Sequence, residues 1–105
     1  MQNQKILENK INIKFKNKRL LSQSLIHKSY DLLSNNEKLE FLGDRVLGLV
    51  LSKKLFNLYP YESEGSLDKK FASLVNRKIC LKISKLLELE KFLILGNTYK
   101  KNLKI

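Results

Sequence analysis

The chain has 105 residues, 43% of them hydrophobic and 30% charged, which fits one small folded domain and excludes a disordered chain. It has no apolar run near the roughly 18 residues that a membrane span needs, and its polar first ten residues lack a signal-peptide core. We therefore expect a cytoplasmic protein without a membrane partner. The single cysteine, Cys80, excludes an internal disulfide and a cysteine-based metal cluster. Its apolar neighbours predict a small buried side chain.

The net charge of +11 favours a polyanionic partner, of which nucleic acid is the usual one. Eighteen of the 21 basic residues are lysines, and they are spread over every segment. An AT-rich genome would produce the same composition without any selection for binding. Charge alone therefore supports RNA or DNA binding only weakly.

Hydrophobic residues recur at helical spacing along almost the whole chain, so we expect an all-α fold. The first predicted helix covers about residues 2–9. Asn17 is a suitable N-cap for a second helix, which we expect to end near Ser29, before a polar stretch at residues 31–35.

The third predicted helix is the longest and runs from Asn36 to Tyr59. Ser34 and Glu37 fit a capping box at its start, although Asn36 could cap it alone. Pro60 and the loop YESEG end it. Past the first turns this helix reads VLGLVL and is apolar on every side, which predicts a central buried helix.

Two further helices are predicted after this loop. One begins at Ser66 or a neighbouring residue, and Asn76 is a candidate break after which the apolar pattern continues to about Leu89. Residues 92–95 suit either a short turn or an extended piece, closed by Gly96. The last nine residues are polar and basic, and we expect them to be a loop.

Three carboxylates on the long helix share a face with leucines that should belong to the core. A step of about 100° per residue places Glu37, Glu40 and Asp44 on one stripe, which Leu47 and Leu51 continue. An ordinary solvated acidic face would carry Lys or Arg three or four residues from each acid, and no such residue exists. A cation from solution is the simplest compensation for this repulsion.

Carboxylates on a rigid helix suit Mg²⁺, which takes one or two of them and keeps several waters. We therefore expect Glu40 and Asp44 to bind a metal ion. Glu37 is the weakest of the three acids, because a capping role also explains it.

Two glycines interrupt the same helix. Gly43 and Gly48 each cost about 1 kcal/mol relative to alanine in a helix interior. They predict the close approach of another element, which is either packing within the chain or a subunit interface.

Residues 36–50, NEKLEFLGDRVLGLV, closely resemble the ribonuclease III signature E-x-L-E-F-L-G-D-x-x-L. Phe15 with the segment LLSQSLIHKSY resembles the family's F-x-x-x-x-L-L-x-x-A-L-T-H-x-S-Y opening. The pairs at 59–60 and 64–65, with the helices that follow, resemble the family's middle part, so the resemblance spans essentially the whole chain. The signature match covers Glu37, Leu39, Glu40, Phe41, Leu42, Gly43, Asp44 and Leu47.

The resemblance implies a ribonuclease III endonuclease-domain fold, homodimerisation, and Mg²⁺-dependent hydrolysis of double-stranded RNA such as ribosomal RNA precursors. Mn²⁺ is a possible substitute. By motif, Glu40 and Asp44 would be metal ligands and catalytic residues. Glu37 and Glu64 would be auxiliary catalytic acids in the cleft of the dimer.

The resemblance also implies positions outside the acidic stripe. Phe41 would be an interface residue that reaches into the partner subunit, which gives the adjacent Gly43 a use. His27 falls in the family's T-H-x-S motif, and we interpret it as a packed structural histidine.

In the family, a further helix of the D-x-x-E-A-L-I-G type follows the middle helices and completes the metal site. None of the acids after Glu64 fits that motif. We therefore expect residues 1–105 to be the N-terminal portion of the catalytic domain. The fold would be incomplete at the C-terminus and without a double-stranded-RNA-binding domain, and this polypeptide alone would have little or no nuclease activity.

Two alternatives stay open at this point. One is a non-catalytic module of the same fold that binds structured RNA or pairs with an intact subunit. The other is a plain helical structural protein whose acids are incidental.

Overall fold

The structure is a computed structural model that describes residues 2–99. The described part contains no strand, which confirms the all-α fold class. A 3₁₀-helix, Leu89–Lys91, follows the last α-helix. The α-helices are α1 (Gln2–Ile11), α2 (Lys18–Ser24), α3 (Glu37–Leu58), α4 (Glu64–Leu74) and α5 (Arg77–Leu86).

Side-chain oxygens begin three of these helices. Asn17, Ser63 and Asn76 cap α2, α4 and α5 by accepting backbone N–H bonds of 2.9–3.2 Å. The predicted roles of Asn17 and Asn76 are confirmed. Because Ser63 is the cap, α4 begins at Glu64, two residues before the predicted Ser66.

The start of α3 differs from the predicted capping box. Asn36 makes no capping bond, and its side-chain amide instead donates to the carbonyl of Ser24 at 3.1 Å. The Oδ1 atom of Asn35 accepts from the backbone N–H of Glu37 at 3.1 Å. Both capping predictions, the box with Ser34 and Asn36 alone, are therefore wrong. The carboxylate of Glu37 makes no capping hydrogen bond, although it lies in the first turn, where the helix dipole favours negative charge.

Two helices end earlier than the pattern predicts. Helix α2 stops at Ser24 rather than near Ser29, because the chain leaves the helix to pair with a distant segment. Helix α5 stops at Leu86 rather than Leu89, because Glu88 adopts a left-handed backbone conformation with φ of 53°.

The distant pairing is a single parallel bridge between Ile26 and Ile94, which confirms the extended alternative for the segment around residue 94. The backbone N–H of His27 donates to the carbonyl of Ile94 at 2.9 Å. Next to it, the N–H of Gly96 donates to Ser29 Oγ at 2.9 Å, and a Cβ at residue 96 would lie 2.3 Å from the Ser29 carbonyl oxygen. Only glycine fits there. We call these contacts the 26–94 joint.

His27 is held at this joint. Its Nδ1 accepts from the backbone N–H of Ser29 at 3.1 Å and lies 2.8 Å from Ser29 Oγ. Its ring centroid lies 4.5 Å from that of Tyr99. These contacts agree with a packed structural histidine. Residues 97–99 are helical, where we expected a loop, and the rest of the polar terminal segment lies outside the described residues.

The buried side chains lie mostly near α1 and α2. Leu7, Leu21 and Leu95 are buried, and Leu55 is the only buried residue of α3. The prediction that α3 is a central buried helix is therefore wrong for this chain, because α4 is the element that packs along it. Its apolar side chains stand largely open to solvent: Phe41, Leu42, Val46, Leu47, Leu49, Val50, Phe56 and Leu58.

The prediction for Cys80 is also wrong, since this thiol is exposed. Helix α5 packs mainly against the short 3₁₀-helix that follows it, so its apolar neighbours in sequence do not enclose it. Among the helices that the structure describes, none is both long enough and apolar enough to cross a membrane.

Candidate active site

The predicted site residues of α3 lie together at the beginning of that helix. Because α3 begins at Glu37, this residue, Glu40 and Asp44 follow at helical spacings of three and four and face the same way. With Phe41 and Arg45 they line one open depression of about 360 Å³. We call it the acidic depression.

The shared stripe is as expected, but its burial is not. Glu37, Glu40 and Asp44 are all exposed, and the side chain of Asp44 is 69% exposed. The prediction of a buried acidic face is wrong, because no described element covers these first turns of α3. Exposed carboxylates carry little desolvation cost, and a hydrated cation can reach them directly.

Arg45 is a member of the site that the sequence reasoning missed. Its Nη1 lies 3.7 Å from Oδ2 of Asp44 and donates to the carbonyl of Phe41 at 3.1 Å. Its guanidinium carbon lies 3.9 Å from the centroid of the Phe41 ring. Counter-ions of a helical acid are expected three or four positions away, whereas Arg45 is adjacent to Asp44 in sequence. The i, i+4 spacing of Phe41 and Arg45 was the available signal.

Glu64 lies elsewhere in the chain. It opens α4 and lines a hollow of about 300 Å³ between α3 and α4, together with Asp68, Phe56 and Leu67 among others. The fold of one chain therefore does not bring Glu64 into the acidic depression.

The donor set of the acidic depression fits a hard cation. It offers carboxylate oxygens on a rigid helix, as Mg²⁺ prefers, with open space for the waters that this ion retains. Within residues 2–99, however, no three His, Cys, Asp or Glu side chains converge closely enough to form a ready-made metal site. Glu40 and Asp44, with Glu37 beside them, would supply only part of a coordination shell.

The two glycines of α3 differ in their surroundings. A Cβ at Gly48 would lie 3.6 Å from the Phe71 ring of α4, which is ordinary contact, so packing against α4 does not require glycine there. A Cβ at Gly43 would meet nothing within 4 Å. The adjacent Phe41 is 62% exposed. Close packing within the chain therefore does not explain Gly43.

A sequence model of the family described as Ribonuclease-III-like matches residues 17–104. This chain belongs to the ribonuclease III family. The ribonuclease III chain is 57% identical over 99 residues to Ribonuclease 3 of Pelagibacter ubique, covering 94% of this chain and 45% of that protein. It is 42% identical to Ribonuclease 3 of a Nitratiruptor species, covering 90% and 42% respectively. It thus spans slightly less than half the length of these relatives.

Solved structures give the same assignment. The ribonuclease III chain superposes on the nuclease domain of ribonuclease III from Campylobacter jejuni with a TM-score of 0.89 and 42% identity, covering 97% of this chain and 69% of that one. A second structure of that nuclease domain gives a TM-score of 0.86 at 43% identity, covering 91% and 67%. That second structure shows structural flexibility in a region involved in dimer formation. The expected ribonuclease III nuclease-domain fold is therefore confirmed, and the relatives are endoribonucleases.

Proposed function

We propose that this chain is the N-terminal portion of a ribonuclease III catalytic domain that hydrolyses double-stranded RNA with Mg²⁺, for which Mn²⁺ can substitute. One observation carries the proposal. Glu37, Glu40 and Asp44 line a single open depression on a helix that carries the family signature. Family membership supplies the reaction class, and the placement of the acids supplies the site.

Within this site, Glu40 and Asp44 hold and orient the metal ion, and Glu37 assists. The carboxylate of Glu37 makes no capping hydrogen bond at the start of α3, which leaves it available for this role. When bound, Mg²⁺ supplies the positive charge that phosphodiester hydrolysis needs near the phosphoryl oxygens. In the metal-free chain, Arg45 is the cation nearest to Asp44.

The second part of the proposal is a homodimer in which Phe41 and Gly43 lie at the interface. Phe41 is 62% exposed, and Gly43 faces open space. The apolar surface that α3 leaves uncovered gives a partner subunit something to bury. Glu64 would then act as an auxiliary acid in the cleft of the dimer, since its own chain does not bring it to the depression.

The proposed substrate is duplex RNA, including ribosomal RNA precursors, in the cytoplasm. A duplex is recognised by shape, through phosphates and 2′-hydroxyl groups, rather than by base edges. The net charge of +11 suits such a polyanion.

The first test measures metal binding and cleavage together. Purified chain is melted with and without Mn²⁺ and incubated with a long RNA duplex and Mg²⁺ or Mn²⁺. Glu40→Ala and Asp44→Ala are compared with Glu90→Ala, an acid outside the depression. We expect Mn²⁺ to raise the Tm of the unchanged chain and of Glu90→Ala only. Any duplex cleavage should fall at least about 100-fold in the other two variants.

A Mn²⁺ shift that survives Asp44→Ala, or that is absent from the unchanged chain, would contradict the metal site. We expect cleavage by the 105-residue polypeptide itself to be slow, because the depression supplies only part of a coordination shell. Rapid turnover that requires Glu40 and Asp44 would overturn that expectation while supporting the site.

A second candidate function is a non-catalytic module of the same fold that binds RNA or pairs with another subunit. The lack of a converging third ligand in the described part of the chain favours it. Duplex binding by a chain that shows neither metal-dependent cleavage nor a Mn²⁺ shift would support this candidate.

A further inference from the structure

Helix α5 carries its basic residues on one side. At about 100° per residue, its four cations fall within an arc of about 140°. Leu81, 54% exposed, lies inside the same arc. We call this surface the basic face of α5. Its four cations are all exposed: Arg77, Lys78, Lys82 and Lys85.

The charges of this face are not relieved within the described chain. Helix α5 contains no acidic residue. Arg77 and Lys78 occupy its first turn, where the helix dipole disfavours positive charge. Lys78 and Lys82 are four residues apart, where like charges repel. None of the four cations takes part in an ion pair with any described residue.

General lysine enrichment does not explain the pattern. The chain has 21 basic residues in 105, whereas α5 has four in ten, about twice the average density. The preceding helix, α4, shows the contrast, because it mixes Glu64 and Asp68 with Lys69 and Lys70. Helix α2 also has two basic residues and no acid, but Lys18 there pairs with Glu8. Helix α5 has four basic residues and no such partner among the described residues.

We propose that the basic face of α5 binds the phosphate backbone of duplex RNA, as a surface additional to the acidic depression. The proposal rests on the proposed function, which supplies the duplex. Lys78 to Lys85 spans about 10.5 Å along the helix axis, a length that covers about three phosphates of one strand. Lysine suits this role because it contacts phosphate as a point charge without reading sequence.

An anionic membrane is the other polyanion that a basic amphipathic helix can meet. The RNA duplex is favoured here because the chain belongs to a family of RNA-cleaving enzymes. Helix α5 also has only ten residues and no aromatic side chain to anchor it at a lipid interface. Vesicle binding therefore enters the test as a contrary outcome.

The experiment measures the affinity of the full 105-residue chain for a fluorescent RNA duplex of about 25 base pairs by anisotropy. EDTA prevents cleavage, and the salt concentration is varied. The triple variant Lys78→Gln, Lys82→Gln, Lys85→Gln removes charge from the basic face. A matched triple variant removes the same charge from exposed lysines elsewhere: Lys16→Gln, Lys53→Gln and Lys69→Gln.

We expect the α5 variant to bind the duplex about tenfold more weakly at low salt. Its slope of log affinity against log salt should be smaller by about two to three. The matched variant should stay within about twofold of the unchanged chain. Thermal melting of all three proteins checks that each is folded.

Equal losses in both triple variants, or no loss in the α5 variant, would overturn the proposal and leave the proposed function standing. α5-dependent binding to phosphatidylserine vesicles with unchanged duplex affinity would also overturn it, in favour of a membrane surface. If the unchanged chain fails to bind the duplex at any salt concentration, the proposed function fails first and this proposal fails with it.

Discussion

Two kinds of carboxylate in this chain have opposite surroundings. Glu8 of α1 is only 7% exposed; it accepts from the backbone N–H of Phe15 at 2.6 Å and from Lys18 Nζ at 2.5 Å. Asp44 of α3 is 69% exposed, and its nearest cation, Arg45, is 3.7 Å away. The chain itself satisfies Glu8, whereas Asp44 is left available to something from outside. Burial and hydrogen bonding thus distinguish an acid that the fold satisfies from one that stays open to a ligand, which charge and spacing alone do not.

The apolar surfaces differ in the same way. Around Glu8, the side chains of Leu7 and Leu21 are buried, so the chain itself covers these apolar residues. On α3, the side chains of Leu49 and Val50 are 71% and 58% exposed. The described residues leave this apolar helix face open for packing against something outside them.

The largest expected effect is a difference in Tm between variants of Glu8 and Asp44. Glu8→Gln keeps an acceptor for the N–H of Phe15 but removes the ionic bond to Lys18, so we expect the Tm to fall by roughly 5 °C. Asp44→Asn removes a charge with no strong partner and should leave the metal-free Tm almost unchanged. Thermal melts followed by circular dichroism measure both. Similar losses of Tm in the two variants would contradict the distinction between Glu8 and Asp44.

The pH dependence of stability should follow Glu8. The hydrogen bond from Lys18, and next that from the N–H of Phe15, hold the pKa of Glu8 below its ordinary value of 4.5. A depressed pKa in the folded state contributes stability above the unfolded value, and this contribution is lost as the pH falls through the folded pKa. Backbone N–H groups lower the pKa of Asp31, and Lys91 lowers that of Glu88, in the same direction.

We therefore expect acid to destabilise the chain below about pH 4.5. Glu8→Gln should show a smaller loss, because the contribution of Glu8 is then missing. Urea unfolding of the unchanged chain and of Glu8→Gln at pH 7 and pH 3.5 measures how much free energy of unfolding each protein loses in acid. An identical acid loss with and without Glu8 would show that its ion pair does not stabilise the fold.

A smaller effect should separate the two glycines of α3. Gly43→Ala and Gly48→Ala should each raise the free energy of unfolding by about 0.5–1 kcal/mol, because alanine has the higher helix propensity. The new side chains fit, since neither Cβ would meet an atom closer than 3.6 Å. If Gly43 lies at a subunit interface, only Gly43→Ala should weaken self-association. Urea unfolding and sedimentation equilibrium measure the two quantities. If both variants self-associate equally in sedimentation equilibrium, Gly43 does not lie at a subunit interface.

The smallest expected effect concerns Arg45. Its guanidinium competes with a metal ion for Asp44, but both groups are exposed and the pair is weak. Arg45→Gln should therefore raise the affinity for Mg²⁺ by about two- to threefold, measured by titration calorimetry. Arg45→Lys, which keeps the charge, should leave the affinity closer to that of the unchanged chain. Weaker Mg²⁺ binding by Arg45→Gln would show that Arg45 supports the site rather than competes for it.

Local features were predictable from the sequence, and burial was not. The helical spacing of Glu37, Glu40 and Asp44 follows from helix geometry. The residue types predicted a cap at Asn17 and a break at Asn76. The start of α3 was not predictable, because neighbouring Asn and Ser side chains compete for the same few N–H groups and only tertiary contacts decide among them. The exposure of α3 could not be read from VLGLVL, because the apolar pattern is the same whether its cover comes from the chain or from a partner.

The 26–94 joint has a consequence for how the chain opens. Ser29 and Gly96 are 67 positions apart in sequence, so their contact closes a long loop at a cost in chain entropy. We expect it to break only when the helices between them lose their arrangement. The backbone amides of His27 and Ile94 should therefore exchange with deuterium at the rate of global unfolding. The amides of residues 2–5, in the first turn of α1, should exchange by local fraying long before that.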